Sequence, residues 1–343
     1  MTDFELFQYA ESHGFGEIHC NVDSENQVQQ VIAIHSTKLG PALGGCRCVP
    51  YASSMDAIYD AMRLARGMSF KSAMVGLPFG GGKCVVMRPP EIRDRQKYFQ
   101  SIGRFVDQLN GRYITAIDSG TSVYDMDIIH TVTPHVTCLS TSDGDTSLFT
   151  ARGVANGIKA ALTYKLKRDN FDGIHVAIQG VGNVGFYLAE ILHQQGVKLT
   201  VSDVNQVALN ACAEKFGATI VPPDSIYDVE CDVFAPCALG AIINKQTIAR
   251  LKAPIIAGSA NNQLAHSVDG QLLHERGILY CPDYVINAGG LIFAASHYLN
   301  YSQDQVTQKL ANIYNTLLDV FERSAKENRP SNQIADAIAA EKL

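Results

Sequence analysis

Two lysines and a run of three glycines stand close together early in the chain. Lys71 and Lys83 are twelve positions apart, and Pro78 and the glycines at 80–82 precede the second lysine. No helix tolerates three successive glycines, since each costs about 1 kcal/mol relative to alanine. A glycine-rich backbone is typical of close approach to a ligand, so we expect a turn at residues 80–82 beside a binding site.

Lys83 is followed by a short apolar run, residues 84–87, that predicts a strand. A lysine at the point where a glycine turn enters a sheet can be buried. Burial and a second positive charge at Lys71 would both favour the neutral amine, which is the form that accepts a proton. Lys83 is therefore a candidate general base. The same spacing is equally compatible with a tight loop that carries two solvated lysines.

Asp118 is a second residue able to exchange protons. It follows a predicted strand at residues 112–117 and precedes Ser119 and Gly120, which predict a turn. A carboxylate at a strand end beside a glycine is more often a turn former than a catalyst, and the residues alone favour the turn former.

A second glycine pattern, Gly-x-Gly-x-x-Gly, begins in the middle of the chain and consists of Gly180, Val181, Gly182, Asn183, Val184 and Gly185. It follows a predicted strand at residues 174–179 and opens a predicted helix that ends near Gly196. Asp203 lies at the end of the next predicted strand, 18 residues after Gly185. This context predicts dinucleotide binding, with the pyrophosphate held by the glycine backbone and the positive end of the helix.

The carboxylate of Asp203 would accept hydrogen bonds from the adenosine ribose. It would also repel a 2′-phosphate, so we expect the cofactor to be NAD rather than NADP. Asn261, Asn262 and Asn287 follow later strand-like segments. Because ligands of open α/β sheets bind at the carboxyl ends of the strands, we expect these loops to border the nicotinamide. Taken singly, each asparagine is also compatible with a plain turn.

The elements that position these residues change character along the chain. The first part contains both strands and helices, with a strand predicted at 31–35 and a helix at 91–110. Between them, Ser53 and Ser54 can cap a helix whose apolar face consists of Met55, Ile58, Met62 and Ala65. Thr150 can cap a helix that carries Val154, Ile158 and Leu162. Six short strands then alternate with helices at 174–178, 198–202, 218–221, 232–235, 255–257 and 278–281. This alternation predicts a doubly wound parallel sheet, followed by helices at 304–325 and 332–343.

Length and composition describe an ordinary globular protein. The 343 residues suggest two domains, and the net charge of −6 argues against a nucleic-acid partner. Residues 1–5 lack a basic region followed by an apolar core, and we expect no membrane association. The nine cysteines form an odd set without a Cys-x-x-Cys pair, which indicates reduced thiols and a cytoplasmic protein. Cys46 and Cys48 are a weak metal signal, and we predict no metal site.

Three segments, residues 40–45, 68–71 and 80–83, resemble those of the amino-acid dehydrogenases that act on glutamate, leucine, phenylalanine and valine. The similarity is greatest to the leucine/phenylalanine branch. It implies a two-domain α/β protein with a cleft between the domains. Residues 1–145, completed by helices at about 320–343, would form the substrate-binding and oligomerisation domain, and residues 146–319 a Rossmann-type doubly wound NAD-binding domain. It also implies a homo-oligomer that deaminates an apolar L-amino acid to the 2-oxo acid and ammonia with NAD.

The resemblance assigns roles by position. Lys83 would be the general base, Asp118 its proton-transfer partner, and Lys71 the group that pairs with the substrate α-carboxylate. The remaining matching positions are Gly44, Gly45, Leu39, Ala116, Asn262, Leu291 and Ala294 for the substrate, and Thr150, Asn261 and Asn287 for the cofactor. The chain departs from the family beside Asp118, where Ile117 replaces a usual glutamate and Ser119 a small apolar residue.

Leu39 and Ala294 indicate which type of substrate side chain the pocket would accept. In glutamate-specific relatives these positions are a lysine and a hydroxyl residue, and this chain has neither. A buried carboxylate without a partner would cost several kcal/mol, whereas a branched aliphatic side chain would gain about 1.5–3 kcal/mol. We expect leucine and its branched neighbours first. The alternative is an aromatic substrate, phenylalanine or tryptophan. A third hypothesis is a non-catalytic amino-acid or nucleotide sensor, which only Ile117 and Ser119 favour.

Overall fold

The computed structural model describes residues 5–141 and 145–343, so residues 1–4, part of the N-terminal segment considered above, lie outside the described chain. The chain divides into two compact units. Unit 1 comprises Met1–Asp143, Ala294–Tyr301 and Ala339–Leu343, and unit 2 comprises Gly144–Phe293 and Ser302–Ile338. The sequence-based borders, 1–145 with about 320–343 and 146–319, differ from these because they place about 320–338 in the first domain and 294–301 in the second.

Unit 1 is built on a five-stranded mixed sheet in the order β1-β2-β4-β3-β5. Its strands are β1 (Glu17–Asp23), β2 (Val28–Ser36), β3 (Ala42–Val49), β4 (Gly80–Met87) and β5 (Tyr113–Ile117). Its helices are α1 (Leu6–His13), α2 (Ser54–Met74), α3 (Arg95–Asp107) and α4 (Val123–His130). Strand β3 pairs in parallel with both β4 and β5, whereas β2 is antiparallel to β1 and β4.

Helices cover both faces of this sheet, and alternate residues of β4 show how. Cys84 and Val86 pack in a cluster with residues of α3, whereas Val85 packs in a second cluster with residues of α2. Successive side chains of a strand point to opposite faces, so Lys83 lies on the same face as Val85. The strand is buried on both faces, which explains its continuous apolar run.

Helix α2 begins as predicted, because the Ser53 side chain accepts a hydrogen bond from the Asp56 N–H. Its predicted apolar face was partly wrong. Met55 is 41 % exposed, and the buried face of the first turns consists of Ala57, Ala61, Met62 and Ala65. Small side chains on this face let the helix lie close to the sheet. The helix predicted at 91–110 is shorter in the structure. It begins only after Asp94, which caps α3 by accepting from the Lys97 N–H.

The glycines at 80–82 form the first residues of β4 and not a turn, which corrects the sequence-based prediction. A Cβ on Gly80 would lie 1.7 Å from the Ser36 carbonyl oxygen, and one on Gly81 would lie 2.0 Å from the Ser69 amide nitrogen. On Gly82 it would lie 2.7 Å from the Tyr113 ring. The glycines therefore allow close approach of the protein's own backbone and side chains rather than of a ligand.

Unit 2 carries a six-stranded sheet in the order β11-β10-β9-β6-β7-β8, and every neighbouring pair is parallel. The strands are β6 (His175–Gln179), β7 (Lys198–Ser202), β8 (Thr219–Ile220), β9 (Val233–Pro236), β10 (Ile255–Ile256) and β11 (Leu279–Tyr280). This confirms the doubly wound, Rossmann-type sheet and all six predicted strands to within a residue or two. The order reverses beside β6, where a doubly wound fold binds its ligand.

The helices that follow in chain order are α5 (Thr146–Ala161), α6 (Asn183–Gln194), α7 (Gln206–Phe216), α8 (Lys245–Arg250), α9 (Asp269–Glu275), α10 (Asp283–Ile286), α11 (Gly289–Leu299), α12 (Gln303–Glu327) and α13 (Ser331–Lys342). A π-helical turn spans Leu162–Leu166 and a 3-10 helix Pro223–Asp228. Thr150 does not cap α5: Asp145 does, and the Thr150 hydroxyl donates to the Thr146 carbonyl one turn earlier.

All nine cysteines are free thiols. Cys46 and Cys48 are fully buried in the α3-side cluster of unit 1. Within residues 5–141 and 145–343, no three His, Cys, Asp or Glu side chains are grouped so that they could hold a metal ion. In the same ranges no helix has the length and apolar character needed to cross a membrane. The cytoplasmic location stays a prediction.

Candidate functional site

The side chains of Lys83 and Asp118 form an ion pair between Nζ and Oδ2. Lys83 lies on β4 and Asp118 directly follows β5, so the strand between them, β3, must leave room for the contact. The register of β3 places Gly45 between Lys83 and Ala116. A Cβ on Gly45 would lie 2.7 Å from the Asp118 Cβ. The missing side chain at position 45 is therefore what lets the carboxylate lie against β3.

A tight turn fixes the carboxylate after β5. The Thr121 hydroxyl accepts a hydrogen bond from the Asp118 N–H at 2.9 Å and lies 3.0 Å from the Cys46 carbonyl oxygen. The Cys48 N–H donates to the Ser119 carbonyl at 2.9 Å. Gly120 has φ +82° and approaches Cys48 so closely that a Cβ would lie 1.9 Å from the Cys48 carbonyl oxygen. The predicted turn thus exists, and it fastens Asp118 to β3.

Arg47 is a second cation beside Asp118, and sequence reasoning missed it. Its Nε lies 3.4 Å from Asp118 Oδ2, and its Nη1 donates to Asp60 Oδ2 on α2 at 2.9 Å. Asp60 also accepts from the Tyr51 hydroxyl at 2.7 Å and from Arg63 at 2.8 Å. The available signal was strand alternation, because the buried Cys46 and Cys48 on either side place position 47 on the opposite face of β3, toward α2.

The charges of these neighbours control the protonation of Asp118. Burial disfavours its ionised form, but the positive charges of Lys83 and Arg47 and the hydrogen bond from Lys83 outweigh burial and hold the pKa of Asp118 at about 2. Asp118 is consequently a carboxylate at neutral pH. A proton that it accepts during a reaction would be released readily.

Beneath the ion pair, the hydroxyl of Tyr113 bridges two strands. It donates to the Gly44 carbonyl on β3 at 2.6 Å and accepts from the Cys84 N–H on β4 at 3.0 Å. Tyr113 is fully buried, and its ring lies across Gly82. A Cβ on Gly44 would lie 1.7 Å from the Gly82 carbonyl oxygen. Both Gly44 and Gly45 are buried within the sheet, and their substrate role stays a prediction.

An apolar cluster adjoins the residue before Asp118. Ala116, Cys138 and Ala294 are its buried members, and Ile117 packs against it. The Thr137 hydroxyl donates to the Ala294 carbonyl at 2.8 Å and so fastens the start of the segment 294–301 to the N-terminal segment of unit 1. Two predicted substrate-binding positions, Ala116 and Ala294, are thereby brought together. Cys138 was not predicted to be with them; it has φ +64°, a conformation uncommon for a residue with a side chain.

The other predicted substrate residues lie in several elements. Lys71 is in the last turn of α2 and is half-buried, and Leu39 is half-buried in the turn between β2 and β3. Leu291 and Asn262 belong to unit 2, the first on α11 and the second in the loop after β10, where it is exposed with φ +51°. Their contacts with a substrate stay predictions.

The predicted dinucleotide turn lies between β6 and α6 and has the form that the pattern requires. Gly180 has φ +93°, and a Cβ there would lie 2.7 Å from Ala238. A Cβ on Gly185 would lie 2.0 Å from the Gly180 carbonyl, which shows why the helix can begin so near the strand. Gly182 differs, since nothing lies within 4 Å of its Cβ position and no side chain caps α6. This open, uncapped helix start fits a pyrophosphate.

Asp203 lies beside this turn, as predicted. Its Oδ2 accepts from the Val181 N–H at 2.7 Å and its Oδ1 from the Asn205 N–H at 2.8 Å. A carboxylate has about four acceptor positions, so both oxygens retain capacity for ribose hydroxyls. The neighbouring Val204 is 93 % exposed. The carboxylate therefore both shapes the glycine turn and presents negative charge next to it.

Asn287 ends the short helix α10 and is buried. Its Nδ2 donates to the Ser259 carbonyl at 3.1 Å and to the Asn261 side chain at 2.8 Å. Its Oδ1 has no hydrogen-bond partner in the described chain although only 6 % of the residue is exposed. An unpartnered buried amide oxygen is rare, and it fits a ligand donor such as the carboxamide of a nicotinamide. Asn183, Val184 and Thr150 lie at or near the starts of α6 and α5, and their cofactor contacts stay predictions.

Similarity to known proteins extends over both units. Residues 16–135 match the family model described as Glu/Leu/Phe/Val dehydrogenase, dimerisation domain, and residues 144–211 and 199–343 match Glutamate/Leucine/Phenylalanine/Valine dehydrogenase. The chain is 48 % identical over 342 residues to leucine dehydrogenase of Thermoactinomyces intermedius, covering 99 % of this chain and 93 % of that relative. It is 38 % identical to phenylalanine dehydrogenase of Bacillus thermotolerans, covering 100 % and 91 %. The crystal structure of L-tryptophan dehydrogenase from Nostoc punctiforme superimposes with a TM-score of 0.89 at 40 % identity, covering 98 % of each chain.

Proposed function

Because the chain belongs to the glutamate/leucine/phenylalanine/valine dehydrogenase family, we propose that it catalyses the reversible, NAD-dependent oxidative deamination of an apolar L-amino acid, with leucine and other branched-chain substrates first. The overall reaction converts the amino acid, NAD⁺ and water to the 2-oxo acid, ammonia, NADH and a proton. The observation that carries this proposal is the Lys83–Asp118 ion pair, which lies next to an uncharged side-chain cluster.

Each charged residue has a separate task in this reaction. Lys71 pairs with the substrate α-carboxylate and so fixes its orientation. A nicotinamide cofactor held by the glycine turn and Asp203 would supply the acceptor for the hydride that leaves the substrate α-carbon. Lys83 takes a proton from the water that adds to that carbon. Asp118, which is ionised at neutral pH, accepts protons from the substrate nitrogen and returns them as ammonia leaves.

The apolar cluster favours an aliphatic side chain. Ala116, Cys138 and Ala294 carry no charge, and burial raises the pKa of the Cys138 thiol, which therefore stays neutral. A carboxylate placed against them would lack a partner and cost several kcal/mol. The relatives that act on phenylalanine and tryptophan make aromatic substrates the second candidate, since the alanines are small.

The test is NADH formation by the purified protein with leucine, valine, phenylalanine, tryptophan and glutamate at equal concentrations. We expect kcat/KM to rank leucine first and glutamate last, at least about 100-fold below leucine, a ratio equivalent to 2.8 kcal/mol. A ranking led by phenylalanine or tryptophan selects the aromatic alternative. A ranking led by glutamate would refute the pocket argument. If no amino acid supports turnover although NADH binds, the chain is a sensor.

The preference for NAD rests on the Asp203 carboxylate beside the glycine turn. Asp203→Asn keeps an oxygen that can accept from the Val181 N–H but removes the charge. We expect this variant to lower the ratio of kcat/KM for NAD to that for NADP by about tenfold, the effect of 1.4 kcal/mol of lost repulsion. An unchanged ratio would show that the carboxylate does not face the ribose. Val204→Thr, which changes the exposed residue next to Asp203 without changing charge, is the control.

A homo-oligomer is part of the proposal. The match of residues 16–135 to a dimerisation domain supports self-association of unit 1. Light scattering of the purified chain measures it directly, and a monomer at micromolar concentration would contradict it.

A further inference from the structure

A line of alternating charges leads away from the catalytic pair into unit 1. It runs from Lys83 through Asp118 and Arg47 to Asp60. We propose, on the premise of the deamination reaction above, that Arg47 is a positioning residue: anchored by Asp60, it holds the Asp118 carboxylate in place against Lys83. Arg47 itself has no role in contacting the substrate.

The geometry distinguishes Arg47 from an ordinary structural ion pair. Its guanidinium uses one nitrogen for Asp118 and a different one for Asp60. Asp60 is held in turn by Tyr51 and Arg63, so three donors fix its orientation. A link between β3 and α2 alone would need only Asp60. The second contact directs the ordered guanidinium toward the group that transfers protons.

Partial burial makes these contacts effective. The side chains of Arg47, Asp60 and Asp118 are 24 %, 17 % and 20 % exposed, and that of Lys83 is 7 % exposed. Ion pairs that are largely removed from water are screened less by salt than surface pairs are. Movement of Asp118 away from Lys83 would therefore have to break an attraction to two cations at once.

The electrostatic consequence has a definite sign. The ionisable groups that face Asp118 are Lys83 on β4 and Arg47 and the Cys46 thiol on β3, and Asp60, Arg63 and Tyr51 lie behind Arg47. Removing the positive charge of Arg47 favours protonation of Asp118, so its pKa rises. The acid side of the pH–rate profile, on which Asp118 gains a proton, therefore moves to higher pH.

Arginine is needed for geometry as well as charge. A planar guanidinium reaches two carboxylates with nitrogens in a fixed arrangement, whereas a lysine ammonium is a single point of charge. Arg47→Lys should therefore preserve the electrostatic effect on Asp118 but lose the anchoring to Asp60. Arg47→Gln should lose both. The two variants separate the positioning role from the charge.

The experiment measures kcat and KM for leucine against pH in the full-length protein, its variants Arg47→Gln and Arg47→Lys, and the control Arg93→Gln. Arg93 is an exposed arginine between β4 and α3 and is not part of the line of charges from Lys83 to Asp60. We expect Arg47→Gln to lower kcat at the optimum by about tenfold or more and to move the acid limb up by about one pH unit, with less change in KM. Arg47→Lys should keep the limb near the wild-type position with kcat still reduced, and Arg93→Gln should match wild type.

Unchanged kcat and an unchanged acid limb in Arg47→Gln would overturn the proposal. If Arg47→Gln does not fold, Arg47→Lys decides: full kcat shows that no anchored geometry is needed. Inactive wild-type protein would contradict the proposed function rather than this inference. In that case a denaturation cycle of Arg47→Gln and Asp118→Asn tests the contact itself. We expect the double variant's unfolding constant to differ by about tenfold from the product of the single effects, and additivity would overturn the proposal.

Discussion

Lys83 is a buried lysine whose Nζ directly faces the Asp118 carboxylate. Sequence spacing pointed to Lys83 but could not say how it was held. Its setting depends on the absent side chain at Gly45 and on the ring of Tyr113 packed beneath β4, and both come from segments distant in sequence. Arg47 was missed for a related reason, since its partners Asp60 and Asp118 are brought to it only by the sheet.

Lys83→Met is the direct test at this scale, because methionine preserves much of the side-chain volume and cannot accept a proton. We expect kcat to fall by about 100-fold or more, the usual cost of losing a general base. NADH affinity, measured by fluorescence titration, should be nearly unchanged. Lys97→Met on the exposed side of α3 is the matched control and should keep wild-type turnover. More than about a tenth of wild-type kcat in Lys83→Met would exclude the assignment.

At the scale of elements, strand β4, which carries Lys83, shows where prediction from sequence patterns fails. Three glycines have poor strand propensity and predicted a turn. In the fold their Cβ positions are filled by Ser36, by the backbone of α2 and by Tyr113, and none of these is adjacent in sequence. By contrast, the doubly wound sheet of unit 2 was predicted strand by strand, because its strands are local apolar runs and its glycine turn follows a local rule.

Gly81→Ala and Gly67→Ala form a matched pair that tests this reading of β4. The added Cβ at position 81 would lie 2.0 Å from the Ser69 amide and 2.5 Å from the Ala65 carbonyl, which are backbone atoms of α2. At position 67, also on α2, nothing lies within 4 Å. In urea unfolding, we expect Gly81→Ala to lose several kcal/mol or not to fold, since overpacking of this kind costs about 1–3 kcal/mol or more.

Gly67→Ala should be more stable than wild type by about 0.5–1 kcal/mol, the difference in helix propensity. Equal midpoints for the two variants would mean that β4 and α2 can separate at little cost.

At the scale of the whole molecule, acid stability depends on carboxylates of unit 1. Hydrogen bonds from Ser101 and Asn26 hold the pKa of Asp23 at about 2. The cations Lys83 and Arg47 hold the pKa of Asp118 at about 2, because they outweigh the opposite effect of burial. Both values are below the usual 3.8. The unfolded chain therefore binds more protons than the folded chain in this range. The stability that these groups contribute is complete above about pH 4 and is lost as pH falls toward 2.

Urea unfolding at fixed protein concentration between pH 5 and pH 2.5 checks this prediction. Wild-type stability should decrease steadily over the window, and Asp118→Asn, which cannot titrate at position 118, should show a shallower decrease. Fixed concentration matters because self-association would add its own stabilisation. Parallel profiles for the two proteins would contradict the linkage.

The division of the chain between the units has a consequence for biosynthesis. The whole sheet of unit 2 lies in its first segment, Gly144–Phe293, and Ser302–Ile338 is its second, whereas unit 1 also requires Ala294–Tyr301 and Ala339–Leu343. Its last segment is fastened by the Lys342 ammonium, which donates to the Ala73 carbonyl near the end of α2. Folding on the ribosome generally proceeds from the N-terminus. In this chain unit 1 is the first to be synthesised but the last to be completed. During synthesis the carbonyl end of α2 therefore stays uncovered until residues that follow the nucleotide-binding sheet have been translated.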